Sequence, residues 1–111
     1  MEIRLPFKAD FKDSMLSEEK TFTSRTKRYG EIGNTFKAFG ATFTIIQQFQ
    51  RKLQDVADNY HKQEGFESPE EFQKVWIELH PRKGWDPEQI VWVHEFKKGL
   101  TKTIGQQNLE V

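Results

Sequence analysis

"NTFKAFGATFTIIQQFQRKLQDVADNY", from Asn34 to Tyr60, changes its period midway. Phe36 and Ala38 alternate with polar neighbours, then Ala41, Phe43 and Ile45 do the same. Alternation at period two marks half-buried strands. Gly40 stands between the two arms, where a hairpin turn or bulge is expected. From Leu53 the apolar residues fall at Leu53, Val56, Ala57 and Tyr60, one face of a helix that ends before Gly65. A hairpin that runs into a helix predicts an α+β chain.

The flanks extend this pattern. "EIRLPF" (Glu2 to Phe7) alternates Ile3, Leu5 and Phe7 with charged neighbours and predicts a strand, with Pro6 placing it at a sheet edge or strand end. "DFKDSMLSEEK" predicts a short helix that Asp10 can cap, with Phe11, Met15 and Leu16 turned inward. Thr21 to Arg25 predicts a strand with Phe22 inward and Thr21 and Thr23 on the other face, and Lys27 to Asn34 a turn. "SPEEFQKVWIELHP" carries strong helix signals: Ser68 as N-cap, Pro69 in the first turn, Glu71 completing a capping box, an apolar stripe of Phe72, Val75, Trp76 and Leu79, and Pro81 as a stop. "IVWVHEF" predicts a strand with Ile90, Trp92 and Phe96 on one face. The expected organisation is one domain over 1–98 and a C-terminal tail over 99–111 that frays.

The 111 residues contain ten Phe and three Trp, enough for an aromatic core despite 31% charged residues. The formal net charge of +0 argues against a DNA-coating protein. Without cysteine there is no disulfide or thiolate chemistry. There is no signal-peptide pattern and no long apolar run, so a soluble cytoplasmic protein without membrane contact is expected.

One charged cluster raises a chemical question. Lys20, Thr21, Thr23, Arg25, Lys27 and Arg28 fall within nine residues with no acidic residue among them. On a strand, Thr21, Thr23 and Arg25 share a face, with Lys20 at its start. A partly desolvated Lys can act as a base, a charged one binds a phosphate or a base edge, and a solvated edge strand needs neither. Glu64 meets the negative end of a helix dipole, which can raise a carboxylate's pKa, although a last-turn Glu can simply be exposed. His61 and Glu64 are three apart, but no second pair supports a metal, and no cofactor is expected. His80 reads as a helix-end residue and His94 as a hydrogen-bonded, half-buried one. Gly30 and Gly33 have the spacing of an RNA-binding clamp but join strands, so they read as a turn. Trp85 is either a base-stacking residue or a lid on the core.

"FKDSMLSEEKTFTSR", "YGEIGNTFKAFGATFTI", "HKQEGFESPEEFQKVWIELHP" and "VWVHEFKK", in this order, resemble an ASCH domain of the PUA-like superfamily. The resemblance implies a PUA-like mixed or antiparallel β pseudobarrel flanked by helices, around a cleft that binds RNA or a modified nucleoside. It is similar to a small group that hydrolyses the amide of N(4)-acetylcytidine with a Lys, a Thr and a Glu. Those residues match Lys20, Thr23 and Glu64, and a further Arg matches Arg25. Thr21, Lys27, Arg28 and Trp85 are the remaining expected substrate contacts. Alternatives are a non-catalytic RNA-binding module or a ribonuclease in the same cleft, the latter without a His pair to support it. The family usually has Gly two residues before the Lys, where this chain has Glu18. A positive φ there would strain the turn, and a carboxylate so close would keep Lys20 charged.

Overall fold

The computed structural model describes residues 1–99 of the chain. A short 3-10 turn, Ala9–Phe11, leads into α1 (Lys12–Leu16). The strands are β1 (Phe22–Arg25), β2 (Thr35–Ala38), β3 (Ala41–Lys52) and β4 (Ile90–Lys98). Between β3 and β4 lie α2 (Leu53–Tyr60) and α3 (Pro69–Leu79). The sheet is antiparallel, in the order β1-β4-β3-β2, and curls into a half-barrel. It is the α+β PUA-like architecture expected from the resemblance.

The hairpin forms as its alternation predicts. Phe36 pairs with Phe43 across it, their rings stacked at 5.3 Å. Phe39 and Gly40 both take positive φ, 54° and 81°, the backbone that matches a two-residue turn to strand twist. Further along β3 the register shifts between Ile45 and Gln47. This bulge reverses the alternation. Phe43 and Ile45 belong to one core with Leu5, Met15, Phe36 and Phe96, whereas Phe49 packs against the other, built from Phe22, Leu53, Val56, Ala57, Phe72, Trp76, Val91 and Val93. The sheet therefore buries both faces, one under the N-terminal segment and one under α2 and α3.

Three expectations change. The predicted strand Glu2–Phe7 is reduced to a parallel bridge between Glu2 and Thr35, with Ile3 N donating to Thr35 O. Pro6 has no N–H to extend a ladder, and Leu5 and Phe7 enter the core instead. Asp10 caps nothing with its side chain, because the 3-10 turn already includes it. On β4, Ile90 and Trp92 do share a face with Phe96, but Ile90 is exposed and Trp92 only half-buried; the deep anchors are Val91 and Val93 on the opposite face. The α3 signals hold: Ser68 Oγ accepts from Glu71 N at 3.1 Å. Glu71 reaches back one residue further than a capping box requires, accepting from Glu67 N at 2.9 Å. The expected tail lies outside the described residues from 100 onward.

Candidate functional site

The helical turn following α2 positions Glu64. Gly65 N donates to Lys62 O and Phe66 N to His61 O, the paired bonds of a Schellman cap with Gly65 at φ 99°. Glu64 is the last residue before this reversal, and Gln63 O accepts from both Thr21 N and Phe22 N. The helix end is thereby tied to the start of β1. A Cβ on Gly65 would stand 3.1 Å from Lys20 Cβ, a tight contact that adds to the strain a side chain would meet at this φ.

Lys20 is brought in from the other side. After α1 the chain turns through Glu18, whose φ is 67°, and Lys20 N donates to Ser14 O. Glu18 thus holds a left-handed backbone without being a glycine, and carries the strain of that conformation. Lys20 is 2% exposed and Glu64 3%. Lys20 Nζ donates to Phe22 O at 2.9 Å, Glu64 O at 2.8 Å and Glu64 Oε1 at 3.3 Å. Three acceptors call for three protons, so this is an ammonium. It neutralises both the carboxylate and the carbonyl end of the helix. Nζ lies over the face of the Phe11 ring, 4.5 Å from its centroid. Burial lowers its pKa and the Glu64 charge opposes that shift.

Thr23 and Ser24 are buried neighbours on β1, and strand alternation sends them to opposite faces. Thr23 Oγ1 accepts from Arg25 Nε at 3.0 Å, and Arg25 Nη2 donates to Pro6 O at 2.8 Å. Ser24 Oγ donates to Glu64 Oε2 at 2.6 Å. Because β1 is an edge strand, both faces meet one cavity of about 250 Å³. Its floor holds Lys20, Thr23, Ser24, Arg25 and Glu64, and its walls include Phe7, Phe11, Phe66, Phe72 and Trp76. His80, on the rim, stacks on Trp76 at 4.0 Å. The Trp76 Nε1 donor is buried with no acceptor among the described residues.

Of the expected residues, Lys20, Thr23, Arg25 and Glu64 line this cavity, whereas Thr21, Lys27, Arg28 and Trp85 do not. Lys27 lies over the Tyr29 ring, and Arg28 Nε donates to Gln48 Oε1 while its guanidinium lies over Trp92. Trp85 packs edge-on against Phe72 and belongs to the core. Lys20 and Thr23 have separate partners: Lys20 is bound to Phe22 and Glu64, and Thr23 to Arg25. Ser24, Phe11, Phe66, Trp76 and His80 were not anticipated as site residues. Phe72, Trp76 and His80 follow at intervals of four, and Ser24 is a polar residue in register with inward Phe22; both patterns are visible in the sequence. Among the described residues no cluster of three or more His, Asp or Glu could hold a metal ion.

No protein-family model and no curated protein matches the sequence. Solved structures do match in fold. An ASCH domain from Lactobacillus crispatus superposes with a TM-score of 0.71 at 12% identity, over 87% of this chain and 79% of that one. A Pyrococcus furiosus protein gives 0.62 at 12%, over 88% and 97%. ASCH from Zymomonas mobilis gives 0.55 at 10%, over 95% and 76%. At such identities the likeness concerns architecture, and on that ground the chain has the fold of an ASCH domain.

Proposed function

We propose that this cavity binds a modified nucleoside, free or within RNA, and hydrolyses the amide of N(4)-acetylcytidine-like nucleosides. The supporting observation is the buried Lys20–Glu64 ion pair, made by residues 44 apart in the chain, at the floor of an aromatic-walled cavity. Burying a charge pair costs more solvation than a surface pair, and such pairs cluster at functional sites. The volume of about 250 Å³ is below the roughly 300–1,000 Å³ of drug-sized ligand sites. It suits one base with its sugar at the mouth. The ring walls offer stacking.

In this reading Lys20 and Arg25 bring positive charge to the acyl oxygen, Glu64 protonates the leaving amine, and a β1 hydroxyl attacks. The resemblance assigns that attack to Thr23. The rival reading, binding without chemistry, is favoured by one observation: Lys20 donates to three other acceptors and Thr23 is held by Arg25. Incubation with N(4)-acetylcytidine, followed by mass spectrometry for cytidine, separates the two. Turnover that falls by about 10²–10⁴-fold in Glu64→Gln supports hydrolysis. Saturable nucleoside or RNA binding without any cytidine released supports the rival.

A further inference from the structure

Thr23 and Ser24 are adjacent hydroxyls in different electrostatic settings. Thr23 Oγ1 accepts from a guanidinium, which draws on the lone pair an attacking oxygen must offer. Of the two lysines that line the cavity Lys8 is exposed, and the buried one, Lys20, donates three hydrogen bonds and, as an ammonium, has no lone pair to take a proton. Ser24 Oγ instead donates its own proton to Glu64 Oε2 at 2.6 Å, a length typical of a hydroxyl on an ionised carboxylate. The other carboxylate oxygen, Oε1, is held by Lys20 at 3.3 Å. Nucleophile, proton acceptor and orienting cation thus form one hydrogen-bonded chain on the cavity floor.

We propose that Ser24 is the hydroxyl that takes the acyl group, with Glu64 as its proton partner and Lys20 as the cation that orients Glu64. This rests on the hydrolytic reading above and specifies its covalent step. Ser24 Oγ bonds to the amide carbonyl carbon, its proton passes to Glu64 Oε2, and the carbonyl π pair becomes an oxyanion. Collapse of the oxyanion breaks the C–N bond, and the leaving amine takes the proton from Glu64. An ester on Ser24 and a free exocyclic amine result. Water then adds to the ester carbonyl, giving a proton to Glu64. As the C–Oγ bond breaks, that proton returns to Oγ and the carboxylic acid departs. Substrate and water are the only reactants, and no redox change occurs.

The test compares wild type, Ser24→Ala, Ser24→Cys and Thr23→Val on N(4)-acetylcytidine, with acid-quenched enzyme fragmented by mass spectrometry between residues 23 and 24. Ser24→Ala is expected to lower kcat about a thousandfold or more, and Thr23→Val, which frees Arg25 from its hydroxyl partner, to lower it far less and to leave the acetyl group on Ser24. The acetyl mass should sit on Ser24, and on the cysteine of Ser24→Cys as a thioester cleaved by neutral hydroxylamine. The cysteine variant keeps the assignment testable if the alanine variant fails to fold. An acetyl group on Thr23, or full turnover by Ser24→Ala, overturns this step and leaves the hydrolytic reading intact. Nucleoside binding without turnover by the wild type overturns both.

Discussion

Glu18 shows at the residue scale how much backbone strain the site tolerates. At φ 67° a side chain other than glycine costs about 1–2 kcal/mol. Glycine would remove that cost and lose about 0.5–1 kcal/mol through its greater freedom in the unfolded chain. Glu18→Gly is therefore expected to stabilise the fold by about 0.5–1 kcal/mol, read from the midpoint of chemical denaturation. The side chain is exposed and its removal should leave nucleoside binding unchanged. A loss of stability would mean that the carboxylate compensates for its backbone in another way. Gly65 is the opposite case: there the left-handed backbone comes with Lys20 packed directly over it, so a side chain would meet both strain and crowding. Both turns take a positive φ, and a buried side chain crosses only the one at Gly65.

At the scale of elements, the bulge in β3 decides which core each residue joins. Up to Ile45 the strand's odd-numbered residues face the core of Phe36 and Phe96; after the shift, Phe49 faces that of Val93 and Leu53. Deleting Gln48, beyond the bulge, would move Phe49 one place along the ladder, opposite His94, and turn it away from the helices while directing Gln50 toward them. Phe49 is half-buried, so the cost is expected to approach that of losing a core Phe, about 3–5 kcal/mol, and thermal unfolding should become broad or disappear. A deletion that keeps a sharp transition at the same temperature would show that the register can slip without loss. The bulge also marks the limit of what the sequence reveals. Hairpin, helices and final strand follow from period, caps and turn residues, all of them local signals. "TIIQQF" gives no hint of where one extra residue sits, because pairing with β4 sets it. The site divides in the same way. Lys20, Thr23, Arg25 and Glu64 could be selected from resemblance, but which hydroxyl meets Glu64 depends on how the end of α2 docks on β1. Lys27, Arg28 and Trp85, plausible by composition, are drawn off by Tyr29, Gln48 and Phe72.

The whole molecule is joined through His94, which is fully buried on β4 behind Thr23. Tyr29 N donates to its Nε2 at 2.9 Å, so Nε2 must be an acceptor and the ring neutral, with Nδ1 donating to Thr23 O at 3.3 Å. One imidazole thus links the turn after β1, the strand carrying the site and the middle of the sheet. Protonation would place an N–H against an N–H and a positive charge near Arg25 and Arg28. Burial, before those two cations, holds the His94 pKa below its ordinary 6.5. The sign of the effect follows from proton counting. Between the folded pKa and 6.5 the unfolded chain binds a proton that the folded chain does not, so stability is whole above about 6.5 and lost as pH falls through that window. The slope there approaches about 1.4 kcal/mol per pH unit. Lys20 does not contribute to this loss, because its depressed pKa makes stability rise with pH only in the range leading up to 10.5. Melting temperatures measured from pH 7.5 to pH 5 should therefore fall in the wild type and much less in His94→Gln, which keeps an acceptor for Tyr29 N and a donor for Thr23 O. If the variant's profile is as steep as the wild type's, the acid loss comes from another group and His94 is only a packing residue.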